Sequence, residues 1–544
     1  MAKIFDVVIA KICRKDACDI LMRTSSKDRT VKYLFSKINS LGLFGLNAFP
    51  VEVEVDISKG NMPRFDIVGL PDASVRESRE RIRSALNSIN VNLPSCRIIV
   101  NLAPADVKKS GTMHDLAIFI AVFAALGGTS VSMKDKFFIG EVSLSGKVRS
   151  VNGVLPMTIL ARKLGVKELY VPLENAAEAA AIEGVTVYGV PDVESLILHL
   201  ENRKRLPIAV FSEDMQDDHN SILDFSDVKG QRSVKRALEI VAAGGHNVFM
   251  VGPPGSGKSM LAKRLPSILP EMTMDEALET TNVYSISGML NSNSPIIRKR
   301  PFRSPHHTIS GVGLVGGGSI PQPGEISLAH NGVLFLDELA EFDRRTLDIM
   351  RQPLEDHIVT ITRASGTVTY PCRFMLVGAM NPCPCGYYGH PKRKCTCSPM
   401  QVKRYLSKIS GPLMERFDIH LEVEPVLFDE LSDSKKPESS SEIRKRVQVA
   451  REIQKERFKN TGITCNAQIP AGKLKDYCPL SESAENVIKS AFEKMGLSAR
   501  SYDRILKVAR TVADMSGSDI IERNHAAAAI QYGSMSFKYD PSNK

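Results

Sequence analysis

The run Gly252-Pro-Pro-Gly-Ser-Gly-Lys-Ser259 is the most informative stretch of the chain. Its spacing, G-x-x-x-x-G-K-S, is that of a phosphate-binding loop, in which backbone N–H groups converge on phosphate oxygens. An apolar stretch, 248–251, precedes it and a helix-like stretch, 260–269, follows it, so the sequence predicts a strand, the loop and a helix. We expect Lys258 to reach the β- and γ-phosphates of ATP and Ser259 to bind Mg²⁺. The predicted nucleotide-binding residues are Gly252, Pro253, Pro254, Gly255, Ser256, Gly257, Lys258, Ser259 and Met260.

Two further strand ends carry the polar groups that nucleotide hydrolysis needs. An apolar strand over 333–336 ends in two carboxylates, of which Asp337 is expected to bind Mg²⁺ and Glu338 to act as the general base on water. A third strand, 374–377, leads to Asn381, which senses the γ-phosphate and orients water, or else is a simple turn residue. The pattern predicts a P-loop α/β domain that uses ATP and Mg²⁺. Its predicted catalytic residues are Lys258, Glu338 and Asn381.

Length and composition divide the chain into about three domains, because 544 residues exceed the usual size of one or two. A polar, acid-rich stretch and a Ser-rich stretch are typical of linkers. The predicted order is an extension, disordered or a mis-assigned start, at 1–34; an α+β domain at 35–200; a linker at 201–222; the α/β domain at 223–428; a linker at 429–441; a helical domain at 442–535; and a tail at 536–544.

The longest uninterrupted apolar run, 116–126, has eleven residues, whereas a membrane span needs about 20. The first residues also lack the pattern of a secretory signal. We therefore expect a buried core helix, no membrane association and a cytoplasmic protein. Lys and Arg outnumber Asp and Glu by 71 to 61, a surplus compatible either with nucleic-acid binding or with solvated surface charge.

Four of the ten cysteines lie close together, as Cys383-Pro-Cys385 and Cys395-Thr-Cys397. Four thiolates at this spacing can surround one Zn²⁺ tetrahedrally, and His390 can replace one of them. Reduced structural cysteines and a redox pair are the alternatives. The basic residues of the intervening loop, which would lower the thiol pKa values and are candidate DNA contacts, are Lys392, Arg393 and Lys394.

Residues 358–371 predict a β-hairpin, because β-branched residues flank the turn Ala364-Ser-Gly366. Arg363 lies beside the predicted turn. It is a candidate contact to DNA phosphate, or else a solvated side chain on a structural hairpin.

The three elements of the nucleotide site, in this order, resemble those of AAA+ ATPases. Longer motifs are similar to those of the magnesium-chelatase-like ComM/YifB family: Arg300-Pro-Phe-Arg-Ser-Pro-His-His-Thr-Ile-Ser310, Pro323-Gly-Glu-Ile-Ser-Leu-Ala-His-Asn-Gly332 and Asn381-Pro-Cys-Pro-Cys-Gly386. The resemblance spans about residues 35–535. It implies an N-terminal domain like the Lon protease domain, an AAA+ core and a C-terminal helical lid, assembled as a hexamer. It also implies that segment 311–324 is a helix-2 insert, that the hairpin is a pre-sensor-1 hairpin, and that both face DNA.

The resemblance also assigns roles to two arginines. Arg416, within Gly411-Pro-Leu-Met-Glu-Arg-Phe-Asp418, takes the place of an arginine finger that acts in trans on a neighbour's γ-phosphate. The residues alone indicate only a surface or ion-paired arginine there. Arg500 resembles a sensor-2 arginine that contacts the nucleotide in cis, and Arg504, one helical turn later, is its rival.

Residues 138–149 resemble the core of the Lon protease domain. A protease of that type needs a serine nucleophile activated by a lysine. A gap-free comparison puts Met113 and Leu155 at those two positions, so we do not expect proteolysis. A shifted dyad of Lys109 with Ser110 or Thr112 is the alternative. The domain is expected to serve as a scaffold, a ring-assembly element or a DNA-contacting collar.

For the whole chain, the resemblance implies an ATP-driven hexameric DNA motor that promotes branch migration or strand exchange of recombination intermediates, as in natural transformation. The implied partners are single-stranded or branched DNA, further copies of the chain, and recombination proteins. One alternative is a metal-insertion or protein-remodelling chaperone like the magnesium-chelatase motor subunit, which shares the core. Another is a nucleotide-gated regulator with slow turnover. The absent dyad argues against an ATP-dependent protease.

Overall fold

The computed structural model of the chain describes residues 34–59, 63–93, 96–129, 131–211, 223–291, 294–318, 321–363, 366–390, 392–426 and 437–534. The chain divides into two compact units, one formed by Met1–Asp217 with Thr281–Ile296 and the other by Asp218–Thr280 with Ile297–Lys544. Almost all of the predicted extension, residues 212–222 of the first predicted linker, most of the second and the predicted tail lie outside the described residues.

The first unit is built on a seven-stranded mixed sheet in the order β3-β4-β2-β1-β5-β8-β9. Residues Val51, Val53, Val55 and Ile57 of β2 are all buried, as expected for a strand that alternates between core and surface. The strands are β1 (Leu34–Phe44), β2 (Asn47–Lys59), β3 (Arg64–Val68), β4 (Cys96–Ala103), β5 (Lys136–Phe138), β6 (Glu141–Val142), β7 (Val148–Arg149), β8 (Glu168–Pro172) and β9 (Thr186–Val190). The helices are α1 (Ala73–Ser88), α2 (Asp115–Ala125), α3 (Val154–Lys163), α4 (Ala176–Ala180) and α5 (Val193–Leu200).

Helix α2 lies in the core of the first unit, because it is apolar on every side and all but one of its residues are buried. Its first residue, Asp115, is a fully buried carboxylate. The Nε of Arg81 on α1 donates to Asp115 Oδ2 at 2.6 Å, and the Ser78 hydroxyl donates to the other oxygen. A single buried charge is thus paired by a cation from the neighbouring helix.

The second unit contains a five-stranded sheet in the order β11-β14-β17-β10-β18. Its strands and those of two hairpins are β10 (Val248–Val251), β11 (Phe302–Arg303), β12 (Gly316–Gly317), β13 (Gln322–Pro323), β14 (Val333–Leu336), β15 (Ile358–Arg363), β16 (Gly366–Pro371), β17 (Met375–Met380) and β18 (Ile419–Glu422). The helices are α6 (Arg232–Gly244), α7 (Lys258–Arg264), α8 (Met274–Ser287), α9 (Gly311–Val315), α10 (Glu325–Leu328), α11 (Arg344–Ile349), α12 (Arg351–Asp356), α13 (Pro399–Leu406), α14 (Gly411–Met414), α15 (Ser440–Arg457), α16 (Leu474–Tyr477), α17 (Glu482–Met495), α18 (Ala499–Met515) and α19 (Arg523–Ser534).

All neighbouring strands of this five-stranded sheet are parallel. Strands β10, β14 and β17 are buried along their whole length, which explains their uninterrupted apolar sequences. Because the strands are parallel, their carboxyl ends meet at one edge of the sheet and their amino ends at the other. The residues that follow the strands are therefore brought together.

The C-terminal helices share the core of the second unit. Helix α15 begins at Ser440, and a capping box of Ser439 and Glu442 satisfies its first N–H groups. The amphipathic helix α18 buries Ile505 and Val508 in the same cluster as Val241 of α6. Among the described residues, no helix has the length and apolarity needed to cross a membrane.

One stretch departs from the predicted domain boundaries. Segment Thr281–Ile296, which includes the second half of α8, belongs to the first unit, although it lies inside the predicted α/β domain 223–428. The hydroxyl of Ser285 on α8 donates to Glu178 Oε1 at 2.5 Å, and the Ser285 carbonyl accepts the N–H of Gly153 at 3.1 Å. Glu178 is buried, so its carboxyl group requires hydrogen-bond donors, and the Ser285 hydroxyl is one of them. Composition gives no sign of such a pairing across more than a hundred residues.

Candidate nucleotide-binding site

The phosphate loop connects β10 to α7, as the sequence predicts. Gly255 and Gly257 have φ values of +77° and +92°, a region that favours glycine. A methyl group on Gly252 would lie 2.2 Å from the carbonyl oxygen of Val423. Each glycine of the motif is thus required either by backbone conformation or by close packing.

Lys258 and Asn381 meet inside the loop. The Lys258 ammonium donates to the carbonyl oxygens of Gly252 at 2.7 Å and Pro253 at 3.0 Å, and to Asn381 Oδ1 at 3.2 Å. Burial lowers the pKa of Lys258, and the nearby Asp337 carboxylate opposes this shift. The arrangement places a desolvated cation within the phosphate loop, and such a cation suits a polyphosphate.

Ser259 and Asp337 form the second predicted pair. The Ser259 hydroxyl donates to Asp337 Oδ2 at 2.5 Å, because the end of β14 lies next to the start of α7 at the carboxyl edge. A hydroxyl and a carboxylate oxygen are the hard ligands that Mg²⁺ prefers, so the donor set fits this ion.

Glu338 follows Asp337 in a left-handed conformation, with φ of +52°. Its side chain is 59% exposed, and its Oε2 lies 3.6 Å from Nδ1 of His307. His307 is not among the site residues predicted from the sequence. Its position shortly after β11 could have indicated a place in the site, because β11 ends at the same edge of the sheet as β14.

The structure does not bring Arg500 to the phosphate loop of its own chain, in contrast to the cis contact expected from the resemblance. Arg416, Arg500 and Arg504 line a cavity of about 620 Å³. The cavity is also lined by Asn247 and Gly332, which immediately precede β10 and β14. These residues mark the amino edge of the sheet, whereas the phosphate loop lies at the carboxyl edge.

The contacts of the three arginines explain this placement. Arg504 donates to the carbonyl of Phe417 at 2.6 Å, which ties α18 to the amino end of β18. Arg500 donates to Glu415 Oε2 at 3.0 Å, and Arg416 is paired with Glu355. Burial lowers the pKa of Arg416, and the adjacent charges of Arg500, Arg351 and Arg504 add to the effect. The cavity therefore brings three arginines together, and the carboxylates of Glu355 and Glu415 offset part of their charge.

The predicted helix-2 insert, 311–324, and the predicted hairpin pack against each other. Strands β15 and β16 pair in register from Ile358–Pro371 to Arg363–Gly366, and the turn residues 364–365 lie outside the described residues. The Tyr370 hydroxyl donates to the carbonyl of Pro321 at 2.8 Å. A methyl group on Gly317 would lie 3.1 Å from the guanidinium of Arg363. Arg363 itself is exposed, beside the glycines of the insert.

The four clustered cysteines converge. The sulfur atoms of Cys383, Cys385, Cys395 and Cys397 all lie within 4.8 Å of one another. Cys385 Sγ is 3.3 Å from that of Cys383 and 3.5 Å from that of Cys395. Four ligands at about 2.3 Å from a tetrahedral zinc are separated by about 3.8 Å, so the cluster fits this geometry closely. Backbone N–H groups of Tyr387 and Thr396, helped by the neighbouring thiols, lower the pKa of Cys385 to about 5.

The loop between the cysteine pairs is shaped by its own side chains. The Nδ1 of His390 accepts the backbone N–H groups of Lys392 and Arg393 at 3.0 Å each, and the four thiols meet without this ring. Arg393 donates to the Tyr387 hydroxyl at 2.7 Å and stacks on its ring. Lys392, Arg393 and Lys394 are exposed.

In the first unit, the residues of the alternative dyad are engaged elsewhere. Buried Lys109 donates to the carbonyl of Pro104, and Thr112 donates to Glu141 at 2.7 Å. The backbone N–H of Leu155 donates to Glu178. Within the described residues, Lys109 shares no hydrogen bond with Ser110 or Thr112.

Comparison with known proteins gives a consistent assignment. Three family models match: one described as magnesium chelatase, subunit ChlI, at residues 224–431; one described as subunit ChlI of Mg-chelatase, at 53–175; and one described as magnesium chelatase, subunit ChlI C-terminal, at 437–533. The competence protein ComM of Haemophilus influenzae is 42% identical over 504 residues, covering 92% of this chain and 97% of its own length. The uncharacterized protein YifB of Escherichia coli is 42% identical over 503 residues, covering 91% and 96%. The magnesium-chelatase subunit ChlI of Cyanophora paradoxa is 26% identical over 192 residues, covering 31% and 55%.

The fold and the nucleotide site define a P-loop protein of the magnesium-chelatase-like AAA+ class, and this class suggests ATPase activity. The similarity to ComM and YifB extends over nine-tenths of the chain. The chain therefore belongs to the magnesium-chelatase-like ComM/YifB family. The prediction of an α/β multidomain chain with an α/β core and C-terminal helices is confirmed, and the sheet of that core is parallel.

Proposed function

We propose that the chain is the subunit of a hexameric, ATP-driven motor that acts on single-stranded or branched DNA. The observation that carries the proposal is that the residues suited to hydrolysis lie at two opposite edges of one sheet. The groups that suit phosphate and Mg²⁺ lie at the carboxyl edge, while the arginine cavity lies at the amino edge. In a ring, each arginine cavity faces the phosphates of the next subunit.

In the proposed hydrolysis, Lys258 and the loop N–H groups bind the phosphates of ATP. Bound Mg²⁺, held through Ser259 and Asp337, would neutralise developing phosphate charge. Glu338 accepts a proton from the attacking water, and Asn381 orients this water. Arg416 from the neighbouring subunit stabilises charge on the γ-phosphate. Arg500 shares its cavity, so we assign it to the neighbour's nucleotide as well.

The DNA-contacting surface is proposed to include Arg363 with the glycine-rich insert, and the exposed residues Lys392 to Lys394. Narrow glycine segments allow close approach to a nucleic-acid backbone, and the adjacent guanidinium supplies the charge. The similarity to a competence protein supports branch migration or strand exchange during uptake of foreign DNA, together with recombination proteins. The N-terminal unit, proposed to be a proteolytically inactive Lon-like domain, would act as a scaffold or collar.

A second candidate is a metal-insertion or protein-remodelling chaperone, which the matches to magnesium-chelatase models favour. The two candidates share the same hydrolytic site. They differ in what stimulates hydrolysis: DNA in the first case, and a protein or porphyrin-binding partner in the second.

The deciding experiment is steady-state ATP hydrolysis with single-stranded, duplex and four-way-junction DNA at two salt concentrations. We expect stimulation that weakens with salt, because contacts to the phosphate backbone release counterions. Arg363→Ala should keep basal hydrolysis and lose most of the stimulation. Lys459→Ala removes an exposed charge just after α15 and serves as the matched control. Intact basal hydrolysis with no response to any DNA would favour the chaperone.

The cysteine cluster is proposed to hold one structural Zn²⁺ through all four thiolates. Its spacing leaves no open position for catalysis. Zinc content of the purified protein, with Cys385→Ser as the comparison, tests this assignment.

A further inference from the structure

The segment that carries the first two cysteines touches the phosphate loop at both of its ends. At one end, Asn381 Oδ1 accepts the Lys258 ammonium. At the other, a methyl group built on Gly386 would lie 2.5 Å from Cδ of Pro254, so the Gly386 backbone lies against that proline. Cys383 and Cys385 lie between these two contacts.

The approach of Gly386 to Pro254 depends on a tight turn. Gly386 has φ of +83°, and its N–H donates to the carbonyl of Cys383 at 2.9 Å. The conformation is one that other residues rarely adopt. The thiol of Cys383 is buried, so the turn is fixed from the inside by the sulfur cluster.

The second cysteine pair anchors the cluster to a helix. Cys397 lies just before α13, whose capping box involves Ser398 and Gln401. The same helix carries the buried Tyr405, which accepts the backbone N–H of Asn381. The four sulfur atoms thus join the turn at Gly386 to the helix that supports Asn381.

We propose that a Zn²⁺ ion held by the four thiolates braces the phosphate loop, so that loss of the metal weakens nucleotide binding without unfolding the chain. The inference rests on the zinc assignment and on the proposed ATPase, and it is independent of DNA. A metal that links two segments removes conformational freedom from both. Here the segment that loses freedom is the one against which Pro254 and Lys258 are packed.

A pair of glycine substitutions separates the effect of the Gly386–Pro254 contact from the effect of the backbone conformation. Gly386→Ala and Gly389→Ala both force alanine into a left-handed conformation, with φ of +83° and +76°. Only the first drives a methyl group into Pro254, because nothing lies within 4 Å of the methyl added at Gly389. We expect Gly386→Ala to weaken binding of a fluorescent ATP analogue by about tenfold or more while one zinc per chain is retained. Gly389→Ala should stay within about twofold of wild type. If the two variants bound the analogue with equal affinity, the claim that the Gly386–Pro254 contact supports nucleotide binding would be overturned.

Metal removal tests the brace itself. Cys385→Ser should lose zinc and bind the analogue about tenfold more weakly, while the helical circular dichroism is retained. Cys385→His supplies a nitrogen ligand and should restore both properties. If Cys385→Ser fails to fold, chelation of the wild-type chain followed by added Zn²⁺ gives the same comparison. Zinc-free wild-type protein with full nucleotide affinity would overturn the proposal. Missing stimulation by DNA would instead count against the motor and leave this result untouched.

Discussion

Arg500 gives the sharpest test of how the two edges of the sheet work together. Its side chain lines the cavity beside Asn247, whereas the phosphate loop begins at Gly252. The strand between them, at about 3.3 Å per residue, separates the edges by about 16 Å. Two unit charges at that distance in water interact by only about 0.3 kcal/mol. Physiological salt screens even this, since the Debye length is about 8 Å.

The electrostatic interaction of Arg500 with phosphate is far stronger if this arginine faces the phosphates of an adjoining subunit. A contact between unit charges at about 4 Å and an effective dielectric constant of about 20 is worth about 4 kcal/mol, or roughly a thousandfold in rate. We expect Arg500→Ala to leave the nucleotide affinity of dilute subunits within about twofold of wild type. Hydrolysis by assembled protein should fall about 100- to 1000-fold. The lost pair with Glu415 is exposed and worth at most about 1 kcal/mol, so thermal unfolding should hardly change.

Mixed rings separate the two geometries. Arg500→Ala subunits keep an intact loop, and Lys258→Ala subunits keep the arginine. In a random one-to-one mixture, about one quarter of the sites join an intact loop to a neighbour's arginine. We expect about one quarter of wild-type hydrolysis to return, and the same for Arg416→Ala. A mixture that stays inactive would refute the reasoning, because an arginine that acts on its own nucleotide cannot be supplied by another subunit.

Three further outcomes follow from named contacts. Glu338→Gln should bind ATP normally but hydrolyse it about 100- to 10,000-fold more slowly, because an amide cannot take a proton from water; phosphate release and equilibrium binding measure the two effects. Arg81→Ala should lower the free energy of unfolding by about 3–5 kcal/mol, since it leaves the buried Asp115 charge unpaired; a denaturant midpoint equal to that of wild type would contradict this. Burial lowers the pKa of His420 to about 3, so its neutral form is favoured by folding. Its contribution to stability is therefore complete above the unfolded pKa near 6.5 and declines toward pH 3, by up to about 1.4 kcal/mol per pH unit. Between pH 7 and pH 5, the free energy of unfolding measured with urea should fall less in His420→Gln than in wild type. In the exposed control His306→Gln it should fall as much as in wild type.

The local part of the site follows from the sequence. Gly252 to Ser259, Asp337 and Asn381 each come directly after an apolar strand, and parallel strands bring such residues to one edge. Lys258 and Asn381 are therefore found in contact. The cysteine cluster could be expected for a similar reason, because its members lie within a short stretch of chain.

The remaining features depend on packing that local pattern does not encode. The position of Arg500 is set by α18, which is tied to the amino end of β18 through Arg504. Nothing in the periodicity of α18 indicates which edge of the sheet its first turn will reach. The contact of His307 with Glu338 likewise depends on how β11 pairs with β14. The extent of the first unit likewise cannot be predicted from local pattern, since only tertiary contacts assign Thr281–Ile296 to it.

That assignment has a consequence for synthesis and for evolution. A ribosome that has released residues 1–217 has not yet made the serine whose hydroxyl satisfies the Glu178 carboxylate. The first unit can reach its final state only after the phosphate loop has been translated, because Thr281–Ile296 follows that loop in the sequence. For the same reason, residues 1–217 alone do not form a complete domain that can be transferred to another protein. A gene fusion that transplants them must carry the distant serine-bearing segment as well, or the buried Glu178 carboxyl loses the Ser285 hydroxyl as one of its donors.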